Sequence, residues 1–225
     1  MVVAGRRVKL VALAVGAATV LAGCGLHPGA AAVVGSETIS HERVDDLASA
    51  ICSAQLAVNQ AQGAQTERIP TRSLREASLG ALVQTELSQQ FGEERGVEPN
   101  RQQVSEIVSR SEQNLGMLPE DEREVYRDVV RENAEGQTMM LAVGREELGD
   151  VSEQEALNEG FRLLQDYAQE VGVEVDPRYG RFEQGNIVPG GTALSVPVSE
   201  RAQAGADQQL APGFVATLPA SQLCS

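Results

Sequence analysis

Aromatic residues and lysine are almost missing from this chain of 225 residues. Tryptophan is absent, and aromatic residues of all kinds make up 3% of the sequence. A core must therefore be built from valine, leucine, isoleucine, alanine and methionine, which suits packed helices better than a β-sandwich. Lys9 is the only lysine, so Schiff-base chemistry is excluded for the chain that follows it.

Residues suited to catalysis or metal binding are also scarce. His27 and His41 are the only histidines, and no nearby cysteine or serine motif accompanies them. The sequence contains no G-x-S-x-G motif, no pair of metal-binding histidines and no phosphate-binding loop. We interpret His41 as a solvated helix start, Glu120-Asp121-Glu122 as helix-dipole complements, and Met139-Met140 as core residues. The sequence therefore predicts no catalytic, cofactor-binding or metal site.

The first 24 residues show the order of features typical of a bacterial lipoprotein signal. Three basic residues lie within residues 6–9, an apolar run spans residues 11–21, and residues 21–24 read Leu-Ala-Gly-Cys, which matches a lipobox. The alternative is an ordinary apolar helix that ends in a cysteine. We predict that residues 1–23 are removed and that Cys24 carries an acyl lipid such as palmitate. The lipid would anchor the chain to the outer face of the cell membrane.

The charge of the remaining chain limits its partners. The full sequence has 18 basic and 32 acidic residues, and residues 1–23 contain three of the basic ones and none of the acidic ones. The mature charge is therefore 15 − 32 = −17. This excess argues against nucleic acid and against an anionic bilayer as partner surfaces. The lipid on Cys24, rather than surface charge, would hold the protein at the membrane.

The cysteine count predicts one disulfide. If Cys24 carries the lipid, Cys52 and Cys224 are the two cysteines that remain. An oxidising compartment favours a bond between them, which would close a loop of about 170 residues. The alternative is two unpaired thiols.

Apolar spacing and capping residues predict five helices. Ser40 is a natural N-cap for the first helix, which reaches about residue 58, and the second spans residues 71–92. Asn100 and Gln103 form a capping box for the third, as do Ser152 and Glu155 for the fifth. Three further residues mark helix boundaries. Pro119 takes the first position of the fourth helix, Gly136 is a point where that helix can be interrupted, and Gly172 ends the fifth helix.

Short strands are predicted at both ends of this helical block. Residues 32–40 read as a strand, a turn and the entry to a helix, and residues 173–175 alternate like a strand. From residue 184 onward glycine, proline and alanine dominate, which predicts an extended or disordered tail with Cys224 as its one anchor. Ile187-Val188 or Phe214-Val215 can add a strand there. The predicted organisation is a signal peptide at 1–23, a spacer at 24–31, a helical domain at 32–183 and a tail at 184–225.

Two segments resemble extracytoplasmic chaperones of the SurA and PrsA type. Residues 32–40 resemble the opening V-V-N-G-x-x-I-T of that family, with Gly35 matching and Val34 in place of the asparagine. Residues 173–182, VEVDPRYGRF, look like the V-x-V-(N/D)-P-R-Y-G-x-(W/F) segment of actinobacterial lipoproteins of this group. The resemblance covers about residues 31–183.

The resemblance implies a mainly α fold, a SurA N-terminal-like bundle of about five helices whose first strand pairs near the end of the chain. Many relatives insert a parvulin prolyl isomerase domain between the fourth and fifth helices, but residues 147–152 leave no room for one. The implied function is non-enzymatic binding of exported, unfolded polypeptides by a membrane-anchored lipoprotein. The alternatives are a dedicated interaction module of the cell envelope and a degenerate prolyl isomerase.

Overall fold

The computed structural model describes residues 28–63, 68–188, 198–206 and 210–224. The predicted signal peptide, Cys24 and His27 lie outside these residues. The described chain is mainly helical with a few short strands. The helices are α1 (His41–Ala61), α2 (Thr71–Glu94), α3 (Arg101–Leu115), α4 (Glu120–Leu148), α5 (Glu153–Val171), α6 (Glu200–Ala206) and α7 (Pro212–Val215). The strands are β1 (Ala30–Val34), β2 (Glu37–Ser40), β3 (Ile69–Pro70), β4 (Val173–Val175), β5 (Arg181–Glu183), β6 (Asn186–Val188) and β7 (Leu223–Cys224).

The helix starts follow the capping residues. The Ser40 hydroxyl accepts a hydrogen bond from the Arg43 amide at the start of α1. Ser152 and Glu155 form a complete capping box at the start of α5. The Asn100 side chain likewise accepts from backbone amides in the first turn of α3. The Asn100 amide donates to the Thr138 hydroxyl and not to Gln103, so the capping box predicted there is incomplete. The three predicted N-caps are confirmed, because an N-cap depends on residues at most three positions away.

Two predictions about α4 are wrong. Pro119 precedes the first helical residue instead of occupying it, and the helix runs from Glu120 to Leu148 without a break at Gly136. Gly136 faces α2, where a Cβ atom would lie 2.9 Å from the Cβ of Ser88. The glycine therefore lets two helices approach and does not end one of them.

A three-stranded antiparallel sheet joins the two ends of the helical block. β1 lies in its centre, with β2 on one side and β4 on the other. Val34 pairs with Val173, and Ala32 pairs with Val175. The first strand, β1, thus pairs with β4, which follows the helical block. β1 begins at Ala30, so the sheet extends two residues into the stretch predicted as a spacer.

The core lies between this sheet and the four helices α1, α2, α4 and α5. Met140 and Val143 of α4 are fully buried, as are Leu79 of α2 and Val34 of β1. The tightest contact joins α4 to α5. A Cβ atom at Gly144 would overlap the carbonyl oxygen of Ala156, and one at Gly160 would overlap that of Met140. Two helix backbones therefore meet with no side chain between them at these points.

The tail is more ordered than the composition predicts. β5 and β6 form a hairpin that contains Ile187 and Val188. Phe214 and Val215 lie in the short helix α7 and not in a strand, because Pro212 presets the first helical dihedral angle. β7 pairs with β3 through Leu223 and Cys224. The strand at Ile187-Val188 is therefore confirmed, whereas the expectation of an extended or disordered tail is wrong for the segments that form α6 and α7.

Candidate functional site

The two cysteines of the predicted disulfide are joined in the structure. Cys52 lies on α1 and Cys224 in β7, with their sulfur atoms 2.10 Å apart and their Cα atoms 5.6 Å apart. The bond spans 172 positions and fixes the end of the described chain to the first helix. That the bond forms in the native protein stays a prediction.

His41 is not the freely solvated residue that the sequence predicts. Its Nδ1 atom lies 3.1 Å from the Tyr179 hydroxyl, and its Nε2 atom lies 2.7 Å from a terminal nitrogen of Arg178. The imidazole also stacks on the Tyr179 ring. The same Nε2 atom lies 3.4 Å from Oδ2 of Asp176. His41 thus ties α1 to the Asp-Pro-Arg-Tyr-Gly segment after β4.

Two groups beside His41 have shifted pKa values. The hydrogen bond from the Arg178 side chain is the main cause that lowers the pKa of the Asp176 carboxyl. Burial raises the pKa of the Tyr179 phenol. Asp176 therefore stays ionised and Tyr179 stays protonated at neutral pH.

A cleft of about 270 Å³ opens beside this cluster. The first turns of α1 and α2 and the segment after β4 form its walls. We call it the arginine cleft, after Arg72, Arg75 and Arg178 in its lining. Asp45 and Glu76 also line it, and each forms an ion pair with one of these arginines.

A second type of site follows from the position of α3. This helix packs mainly against α4, which leaves a groove along each of its sides. The first, called groove A, has a volume of about 300 Å³ and a floor of Val104 and Val108. The second, called groove B, has a volume of about 250 Å³ and contains Ile107, Leu141 and Leu157.

Charged side chains surround these apolar floors. The linings of the two grooves together contain three arginines and three glutamates: Arg101, Arg131 and Glu135 in groove A, and Arg110, Glu106 and Glu153 in groove B. The rims of these two grooves are therefore of mixed charge. The chain-wide excess of acid is located on other surfaces.

The apolar residues of α3 differ in their burial. Val104 and Leu115 are buried. Ile107 and Val108 are only half-buried, because within the described ranges α4 covers only part of the apolar face of α3. The spacing of apolar residues indicates that α3 has an apolar face. It does not show that this face is wider than the surface that α4 covers.

Comparisons with known proteins add no assignment. No protein-family model, curated protein or solved structure matches this chain. Within the described ranges, no group of three or more His, Cys, Asp or Glu side chains is placed to hold a metal ion. None of the helices in those ranges is long and apolar enough to span a membrane.

Proposed function

We propose that this chain is a membrane-tethered lipoprotein that binds unfolded exported polypeptides without catalysis, in the manner of SurA-type chaperone modules. The grooves beside α3 are the observation on which the proposal rests. They combine half-exposed aliphatic side chains with charged rims on a helix that is packed mainly on one side. An extended polypeptide can place apolar side chains on such a floor and hydrogen-bond its backbone to the rim.

The size of the grooves suits weak, reversible binding. Burying roughly 100 Å² of apolar surface in one groove contributes about 2.5 kcal/mol, and association itself opposes binding by several kcal/mol. A single contact is therefore too weak to trap a client, whereas contacts with both grooves hold it transiently. A chaperone needs this balance, because its client must leave again to fold.

The sheet supports the SurA-like interpretation. In the resemblance, a strand before the helices pairs with a strand after them, and here β1 pairs with β4 in register from residue 32 to residue 34. The Asp176 amide extends that ladder to the Ala31 carbonyl. This pairing of β1 with β4 supports the proposal of a SurA-like module.

The tether would place the grooves where exported chains emerge. Five residue steps separate Cys24 from Gly29, and an extended chain of that length spans at most ~18 Å. The Gly29 carbonyl accepts a hydrogen bond from the His41 amide, which fixes the start of the domain to α1. A lipid on Cys24 would therefore keep the whole domain close to the membrane surface.

Aggregation of a denatured model protein tests the proposal. The full chain, purified in a neutral detergent, should slow the aggregation of reduced, unfolding insulin in proportion to its concentration. Val108→Glu puts a charge on the floor of groove A and should reduce the effect severalfold. Val198→Glu is the matched control, since Val198 is 89% exposed and lies outside both grooves.

Unchanged aggregation at a severalfold molar excess of the chain would contradict client binding. Equal activity of the two glutamate variants would contradict the assignment to groove A. Circular dichroism of both variants must first show the same helix content as the unchanged chain. Crosslinking in cells adds a second readout, because a chaperone captures many exported chains and a dedicated adaptor captures one.

A further inference from the structure

We propose that the arginine cleft binds a phosphate group. Its lining brings together guanidinium groups from two distant parts of the sequence, Arg72 and Arg75 from α2 and Arg178 from the segment after β4. Glu76, Asp45 and Asp176 each form an ion pair with one of these arginines, so the cleft is locally neutral in a chain whose overall charge is −14. An anion is therefore repelled less here than by the acidic remainder of the surface.

The arginines are held in place with donors to spare. Asp45 accepts from Nε of Arg75 at 2.6 Å, and both terminal nitrogens of Arg75 have no hydrogen-bond partner among the described residues. Asp176 holds Arg178 through Nε and one terminal nitrogen. The carboxylates therefore orient the guanidinium groups while N–H groups stay available to a ligand.

The start of α2 contributes a positive potential at the cleft. Pro70 precedes the helix and forms no side-chain cap, so its first amide groups lack a partner from that position. Arg72 and Arg75 lie in the first two turns, where the helix dipole favours an anion. The dipole and the guanidinium groups thus act on the same small volume.

The geometry favours phosphate over carboxylate. A carboxylate is planar and offers two oxygens, whereas a phosphate monoester or diester offers two or three oxygens in tetrahedral directions. Guanidinium groups from different walls of a cleft of about 270 Å³ can each reach a different oxygen of a tetrahedral ion. The cleft is too small for a folded partner and is large enough for a phosphate ester head.

Two sources could supply that group, a lipid headgroup and a free phosphate. The Gly29 carbonyl bonds to the amide of His41, and His41 lines the cleft. The chain that leads to Cys24 therefore departs beside it, which would place the cleft near a phospholipid headgroup. The lipid source rests on the proposed tether, whereas phosphate binding itself needs neither the tether nor client binding.

Calorimetric titration with inorganic phosphate tests the site directly. The full chain in a neutral, phosphate-free detergent at low salt should bind phosphate saturably, with a dissociation constant on the order of 1 mM. Arg75→Gln should weaken binding about tenfold, equivalent to about 1.4 kcal/mol. Arg162→Gln should leave it unchanged, because Arg162 is an exposed, ion-paired arginine of α5 outside the cleft.

Several results would overturn the proposal. Absence of saturable binding by the unchanged chain would do so, as would equal losses in Arg75→Gln and Arg162→Gln. Acetate that binds as tightly as phosphate would overturn the assignment to a tetrahedral anion. Circular dichroism of Arg75→Gln guards against a folding defect, since Arg75 and its partner Asp45 are both nearly half-exposed.

Vesicles distinguish the two sources of phosphate. The full lipidated chain is reconstituted either in neutral galactolipid alone or with added phosphatidylglycerol, and hydrogen exchange is followed in residues 71–76. Slower exchange with phosphatidylglycerol, absent in Arg75→Gln, supports the lipid headgroup. Equal exchange in both vesicles, together with binding of inorganic phosphate, supports the free ion. Equal exchange without phosphate binding overturns the site.

Discussion

Two regions of the molecule are held in different ways. In the α4–α5 pair, Gly144 and Gly160 bring two helix backbones together with no side chain between them. The C-terminal segment, by which we mean the described part of residues 198–224, is attached through a few separate links. Those links are the Cys52–Cys224 bond, the two-residue ladder between β3 and β7, and hydrogen bonds from arginines to backbone carbonyls. Close packing depends on the sequence alone, but a disulfide depends on the surrounding redox potential. The helical block should therefore keep its fold in any compartment, and the C-terminal segment only in an oxidising one.

The largest expected effect comes from breaking the packed region. Gly144→Ala or Gly160→Ala forces a methyl group into a backbone carbonyl, so the helices must separate. We expect the free energy of unfolding to fall by roughly 4 kcal/mol or more in urea titrations followed by circular dichroism.

Gly80→Ala is the control for this experiment. Gly80 also lies inside a helix, but the nearest atom to an added Cβ is Cγ1 of Ile187 at 3.8 Å. Alanine should stabilise α2 there by up to about 1 kcal/mol. If Gly144→Ala proves as stable as Gly80→Ala, α4 and α5 do not meet through their glycines.

Breaking the disulfide should have the next largest effect. A double change of Cys52 and Cys224 to serine removes the constraint on a very long loop and should lower the free energy of unfolding by about 4–5 kcal/mol. Hydrogen exchange should accelerate first in β3 and β7, which the bond holds together. Recovery of both cysteines as free thiols, alkylated in the native envelope before any reduction, would show that no bond forms there.

Breaking a single hydrogen bond that attaches the C-terminal segment should have a smaller effect on stability. Arg68 donates to the Ala216 carbonyl at 2.7 Å from an exposed position. Arg68→Gln should destabilise the segment by about 1 kcal/mol or less. Limited proteolysis near residues 212–218 should then be faster, with no change in the unfolding midpoint of the helices. A lowered midpoint would mean that segment and helical block unfold as one unit.

The smallest expected effect comes from the ion pair between Asp176 and Arg178, after β4, and depends on pH. Because Arg178 lowers the pKa of Asp176 in the folded chain, the ionised carboxyl stabilises the fold at pH values above its ordinary pKa of 3.8. That stabilisation is lost as the pH falls through the lowered pKa. Asp176→Asn should therefore be less stable than the unchanged chain at pH 7, and the difference should shrink at pH 3. A difference that stays constant would assign the effect to packing.

Local signals predicted the helix starts well. Ser40, Asn100 and Ser152 cap the helices they were expected to cap, because an N-cap is decided by its immediate neighbours. Gly172, with φ of +77°, closes α5 for the same reason. Thus the five main helices were readable from the sequence.

Features that depend on distant residues were not readable. His41 meets Tyr179 across 138 positions, and nothing beside either residue indicates the contact. The predicted interruption at Gly136 is wrong, because a glycine that interrupts a helix cannot be told from the sequence apart from one that lets a neighbouring helix approach. Similarly, the grooves beside α3 exist because α4 covers only part of an apolar face whose periodicity was visible.

The long span of the disulfide has a further consequence for synthesis. Cys52 belongs to the first helix, but the residue it bonds is made 172 positions later. A chain that stops or is cut and lost anywhere between them keeps a thiol at Cys52. A free thiol at Cys52 thus indicates that the rest of the chain was not made or did not reach the same compartment. A thiol-reactive label would detect that thiol.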